Sequence, residues 1–184
     1  AHNTLVTRLL DEAFERSSGR WHATPGTALS LYRGRLSLVA MALPPSGEAM
    51  LLDLSQPGLV PVPGWGGCFK ITAAAAGTGL PQGACVLAQL RARQGGERFQ
   101  RAPKALARSL KKQYQAAHIG ELQRRGPLVW LAGQLAFVPG LGVDARWWSR
   151  HPDQPRLQWQ WLPDGSCRAA RRMATSSQPS GRLA

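Results

Sequence analysis

The chain has 184 residues, of which 43% are hydrophobic and seven are Trp, enough for one or two small domains with real cores. Its 23 Lys and Arg against 10 Asp and Glu give a formal charge of +13, which favours a polyanionic partner, nucleic acid or an anionic membrane surface, over the plain alternative of a merely soluble basic surface. No window approaches 18 uncharged apolar residues, so no membrane-spanning helix is expected, and the mixed-sign N-terminus AHNTLVTRLLDEAFERSSGR is not a signal peptide.

In chain order, Leu5, Val6, Leu9, Leu10, Ala13 and Phe14 repeat at helical spacing, with Asn3 or Thr4 as a cap and Gly19 where the helix should stop. The chain begins without Met and enters this pattern directly, which reads as a piece of a longer protein. Leu29 and Leu31, then Leu36 and Leu38, alternate with polar residues around Arg33-Gly34, the signature of a hairpin. Residues 43–66 carry Pro44, Pro45, Pro57, Pro61 and Pro63 among glycines and are read as a linker, with a Pro-rich recognition segment as the alternative. The expected units are 1–42, 43–66 as linker, 67–162, and a flexible tail 163–184.

Strands are expected at 68–72, 128–131, 134–138 and 156–162, the last with Leu157, Trp159 and Trp161 on one core face. Gly77 to Gly83 reads as a loop, and its G-x-G lacks the rest of a dinucleotide fingerprint. Residues 85–93 alternate, Gln94-Gly95-Gly96 turns the chain, and 97–101 return, which reads as a second hairpin. Ser109 can cap a helix from about Leu110 to His118. Without alternating βαβ units, the fold class is α+β: a short helix and hairpin, then a β-sandwich-like C-terminal domain with one basic helix.

Cys68, Cys85 and Cys167 form no C-x-x-C pair, and the four His have no zinc-ligand spacing, so a reducing cytoplasm without a structural metal is expected. No phosphate-binding G-x-x-x-x-G-K-[ST] and no Ser/His/Asp or Cys/His arrangement stands out, so no catalytic residue is assigned. The basic excess is concentrated instead. Residues 91–125 hold ten Lys and Arg against Glu97 and Glu121, which is +8 of the total.

Within that stretch the candidate phosphate-binding residues are Arg91, Arg93, Arg98, Arg108, Ser109, Lys111, Lys112 and Arg124. Arg suits phosphate because its planar fork makes paired hydrogen bonds. Leu110, Tyr114 and Ala117 make a buried stripe, so Lys111 and Lys112 fall on the other side, beside the N–H groups of the helix start. The plain alternative is a solvated lysine-rich helix face. Trp130, Trp147 and Trp148 are weighed as base-stacking platforms against core positions, and core is preferred. His118 is read as stabilising the helix end, and Asp144 beside Arg146 as a surface ion pair.

The succession Arg91-Ala-Arg-Gln-Gly-Gly-Glu-Arg98, Arg108-Ser-Leu-Lys-Lys-Gln-Tyr-Gln115, Gly126-Pro-Leu-Val and Phe137-Val-Pro-Gly-Leu-Gly-Val-Asp-Ala-Arg146 resembles the C-terminal domain of the tRNA(Ile)-lysidine synthetases. Their pattern is R-x-R-x-G-G-E-R, R-S-L-K-K-x-x-Q, P-L, then V-x-G-L-x-x-D. Leu29-Ser-Leu-Tyr-Arg-Gly-Arg-Leu36 is similar to the segment closing their middle, substrate-binding domain. The resemblance implies a tRNA-modifying, ATP-dependent ligase that joins lysine to the wobble cytidine of an isoleucine tRNA. ATP and lysine would be used by an N-terminal PP-loop domain of the same protein, whose S-G-G-x-D-S motif is not in this chain. The part present would be a non-catalytic, cofactor-free tRNA-binding fragment of a β-sandwich class shared with a domain of phenylalanyl-tRNA synthetase, contacting the acceptor arm. Where many members have V-P-P-W-L-R, this chain has Ile119-Gly-Glu-Leu-Gln-Arg124 and keeps only the terminal Arg. The rival reading is a stand-alone, non-enzymatic RNA- or ribosome-binding module. A hydrolase reading has no supporting motif.

Overall fold

The computed structural model describes residues 6, 7, 10–12, 15, 16, 18–24, 27–32, 34–40, 49–75, 77–148 and 154–176. Contacts divide the chain into two compact units, one of Ala1–Leu43 with Gly120–Leu122 and one of Pro44–Ile119 with Gln123–Ala184.

The first unit is a three-stranded antiparallel sheet in the order β1 (Ser18–Thr24), β2 (Thr27–Tyr32), β3 (Arg35–Ala40). The hairpin read around Arg33-Gly34 is present, with Tyr32 opposite Arg35. β1 was not foreseen. It buries Trp21, whose indole N–H donates to Glu12 at 3.2 Å. Of the expected first helix, residues 6, 7 and 10–12 are helical, and Leu5, Leu9, Ala13 and Phe14 lie outside the described residues.

The second unit holds two larger antiparallel sheets. Its strands are β4 (Met50–Leu52), β5 (Gly58–Val62), β6 (Gly67–Ala73), β7 (Leu80–Pro81), β8 (Ala88–Arg91), β9 (Arg98–Phe99), β10 (Arg108–Ser109), β11 (Leu128–Leu131), β12 (Gln134–Val138), β13 (Gly142–Val143) and β14 (Arg156–Pro163). Two helices accompany them, α1 (Leu110–Ala116) and α2 (Asp164–Ser176). One sheet runs β13-β12-β11-β8-β4 and the other β5-β6-β14-β7, with β9 and β10 as a separate ribbon. The class is α+β, with few helices on mostly antiparallel sheets.

Alternation along the strands makes the sandwich. Val129 and Leu131 face one way, into a core shared with Phe69, Ile71, Leu157, Trp159 and Trp161 of the other sheet. Phe69 meets Phe137 and Trp161 edge-on, at 5.5 and 5.1 Å between ring centroids. Each side chain so buried contributes about 1.5–3 kcal/mol. Leu128 faces the other way, into a second cluster with Phe99, Leu110, Tyr114, Leu135 and Val138. On β12 the alternation breaks, because Ala136 and Phe137 both enter the first core. The register explains it: Val129 pairs with Phe137 and Trp130 with Leu135, so Ala136 is an extra, bulged residue. β11 and β12 join through Ala132-Gly133, both at positive φ as a two-residue hairpin turn requires.

Four expectations need correction. The 43–66 stretch expected as a linker supplies β4 and β5, each paired within the second unit. β5 tolerates Pro61 because it is the edge strand of its sheet. The second hairpin, 85–93 with 97–101, does not form: β8 is flanked by β4 and β11, and β9 pairs with β10. The tail read as flexible forms α2 over 164–176. Cys167 of α2 makes a disulfide with Cys68 of β6, 99 residues away, where unpaired cysteines were expected. Cys85 is free and buried, and desolvation pushes its thiol up to about 12.

α1 ends with His118 in the left-handed region at φ 52°. The His118 N–H donates to Gln115 O and the Ile119 N–H to Tyr114 O, both at 3.1 Å. These two bonds close a Schellman motif, a conformation that glycine takes without strain. His118 therefore closes the helix end through its backbone conformation, where the sequence pointed to a favoured cation. His118→Gly is expected to raise stability by about 1 kcal/mol, seen as a melting temperature roughly 2–4 °C higher. A lower melting temperature would show that the imidazole makes a contact that outweighs the backbone relief.

Candidate nucleic-acid interface

The basic stretch is built on the second hydrophobic cluster. Leu110 and Tyr114 of α1 are buried in it, with Phe99 of β9 beneath. Gln113, also buried, donates its side-chain amide to Phe99 O at 2.8 Å, and the Leu110 N–H donates to Glu97 O at 3.1 Å. The helix is thus pinned to β9 by one side-chain bond and to the residue preceding it by one backbone bond. The phase of the Leu110/Tyr114 stripe leaves Lys111 and Lys112 exposed, as their spacing predicts. Arg98 and Arg108 stand on the paired strands β9 and β10 immediately before the helix, both exposed.

The R-x-R-x-G-G-E-R segment owes its shape to Glu97. Its carboxylate accepts the N–H groups of Gln94 and Gly95 at 2.7 and 3.0 Å. That closes a turn in which Gly95 and Gly96 lie at φ 97° and 83°, positions that side chains rarely adopt. Arg93 lies 3.8 Å from the same carboxylate and 5.7 Å above the Tyr114 ring. Arg124 reaches the same ring, at 5.0 Å, and donates through Nε and Nη2 to Ile119 O at 2.9 and 2.6 Å. Burial pushes the Tyr114 hydroxyl up to about 12, against the two arginines that favour its ionisation, so it stays a donor, to Pro139 O at 3.1 Å. Arg91 lies 5.3 Å over Trp130.

The structure therefore brings Arg93, Arg98, Arg108, Ser109, Lys111, Lys112 and Arg124 around α1 and the β9–β10 ribbon. Arg91 stands beside them, on Trp130 of the strand that carries Leu128. Their roles divide. Arg98 and Arg124 spend donors on main-chain carbonyls, Arg98 on Ala107 O at 2.7 Å. Arg108, Lys111 and Lys112 are exposed cations, as are Arg93 and Arg98. Ser109 stands at the helix start without a side-chain capping bond. The helix-end phosphate pocket expected here is corrected as well. α1 has seven residues, too few for much of a dipole, and its first N–H is already bonded to Glu97 O.

Trp147 donates to Leu135 O and packs on the main core, Trp130 carries Arg91, and Trp159 and Trp161 are buried in the main core as foreseen.

Sequence reasoning missed the residue that ties this region together. Asp144 was read as half of a surface pair, yet it is fully buried. It accepts the Gln100 N–H at 3.1 Å, the Arg146 N–H at 2.9 Å, and the Arg146 guanidinium through Nε and Nη2 at 2.9 and 2.7 Å. Those bonds hold the Arg146 guanidinium above its ordinary pKa, against partial burial. Arg146 Nη2 also donates to Arg98 O at 3.0 Å, so the pair fixes the backbone of β9. The Asp-x-Arg spacing was the available signal. Among the described residues, no group of His, Cys, Asp and Glu could hold a metal ion, and no helix is long and apolar enough to cross a membrane.

Residues 88–161 match the family model described as the TilS substrate C-terminal domain. Among solved structures, the chain is similar to one titled "Crystal structure of TILS C-terminal domain", at 21% identity and a TM-score of 0.45, over 63% of this chain and 98% of that one. No curated protein matches the chain. Every residue of the basic surface lies inside the segment that matches the TilS substrate C-terminal domain model.

Proposed function

We propose that this chain is the tRNA-gripping part of a lysidine-forming tRNA ligase, and that it binds the acceptor arm of the tRNA through Arg91, Arg93, Arg98, Arg108, Ser109, Lys111, Lys112 and Arg124. The observation that carries this reading is the coincidence of the TilS C-terminal match with the exposed cations on α1 and the β9–β10 ribbon. Phosphate contacts of this kind fix position and orientation without reading bases. The chemistry itself belongs, in this reading, to an N-terminal domain that uses ATP and lysine. The role of these residues is to hold the tRNA for that domain.

The arm specificity is testable by fluorescence titration. A minihelix carrying only the acceptor stem is expected to bind within a few-fold of the whole tRNA, and an isolated anticodon stem-loop much more weakly. Equal binding of both pieces would leave a general RNA-binding module as the better description, and preference for the anticodon piece would overturn the acceptor-arm reading.

A further inference from the structure

α2 lies beyond the matched segment and beyond the basic surface described above. It runs for 13 residues and packs against β6 and β14. Its buried anchor is Cys167, bonded to Cys68. Cys68 pairs with Leu162, whereas Phe69 beside it points into the core, so the disulfide sits on the outer face of the four-stranded sheet. Two residues on, Lys70 shares that outer face and is exposed.

Counting around the helix from Cys167, Arg168 and Arg172 fall on one flank, four residues apart, and both are exposed. Arg171 falls between Cys167 and Arg168 on the helical wheel. Asp164 in the first turn is the sole acidic residue of the helix. A helix of this composition gains little from its own burial, since Cys167 alone is deeply buried among its described side chains. A surface-anchored helix with an exposed arginine flank is complementary to a row of phosphates.

We propose that α2 is a second phosphate-contacting element of this chain, that Arg168 and Arg172 bear on the sugar-phosphate backbone of the same RNA, and that the Cys68–Cys167 disulfide holds the helix in place for it. The inference rests on the tRNA-binding reading above.

The test is a tRNA titration at several salt concentrations, on the oxidised chain, comparing wild type, Arg168→Ala/Arg172→Ala, Cys167→Ser, and Lys111→Ala/Lys112→Ala, with a melting curve for each. Each lost phosphate contact lowers the slope of log affinity against log salt by about 0.7–0.9. The Arg168/Arg172 variant is expected to lose about 1.4–1.8 of slope and roughly tenfold or more in affinity at 0.1 M salt, with an unchanged melting temperature. Cys167→Ser should reproduce most of that loss with both arginines in place. An unchanged slope in the Arg168/Arg172 variant overturns the proposal, and unchanged binding by Cys167→Ser overturns the role of the disulfide. If Lys111→Ala/Lys112→Ala loses slope while the α2 variants do not, the function stands and only α2 drops out. A wild-type chain that does not bind tRNA would instead defeat the functional reading itself.

Discussion

Replacing Asp144 by Ala is expected to lower the unfolding free energy by about 3 kcal/mol, a large share of the 5–15 kcal/mol typical of a folded domain. The carboxylate is fully buried and accepts four hydrogen bonds. Its removal strands the main-chain N–H groups of Gln100 and Arg146, each at roughly 1–3 kcal/mol when no acceptor replaces it. The Arg146 guanidinium is 40% exposed and can turn to water, so its share is small. Asp144→Asn keeps one good acceptor and should fall between. Because Arg146 also holds Arg98 O, the Ala variant should lose tRNA affinity below its melting temperature too. Denaturant titration measures the first effect. A loss under about 1 kcal/mol would mean that water replaces the carboxylate and that the knot is not structural.

The same residue shows where the sequence is legible and where it is not. Strands at 68–72, 128–131, 134–138 and 156–162 could be read because each is a short, mostly apolar run that adds buried side chains to the core. β4 and β5 could not, because Pro57, Pro61 and Pro63 give a loop-like composition that an edge strand tolerates. Pairing was out of reach as well. Gln94-Gly95-Gly96 does turn the chain, but Glu97 holds that turn locally and β8 takes its partner from residues 128–130. α2 gave no apolar period because its deeply buried anchor is a cysteine, bonded to a residue 99 positions away.

In the candidate site the cations were visible as a local density of Lys and Arg, and the Leu110/Tyr114 phase placed Lys111 and Lys112 outside. The groups that organise those cations were not visible. Glu97, Tyr114 and Asp144 work through main-chain amides, ring faces and residues more than 40 positions away. Charge density along a sequence marks a candidate anion-binding surface, and the buried acceptors beneath it become apparent only once the chain is folded.

The second large effect is on RNA binding. Lys111 and Lys112 project from a helix pinned by Gln113, Leu110 and Tyr114, so they can be removed without disturbing what holds it. Ala is also the best helix former, so the fold of Lys111→Ala/Lys112→Ala should be intact. If about five phosphates are neutralised in all, wild-type tRNA binding should show a slope of log affinity against log salt of about −3.5 to −4.5. The double variant should lose about 1.4–1.8 of that slope and weaken binding to different tRNAs alike, because phosphate contacts do not read sequence.

The salt dependence of tRNA binding by this double variant, with its melting curve beside it, is the most direct measurement of whether α1 and the β9–β10 ribbon form a phosphate-tracking surface. A reduced slope at an unchanged melting temperature is the predicted result. A wild-type slope in a well-folded variant would show that these lysines are only a solvated helix face, and would contradict the account.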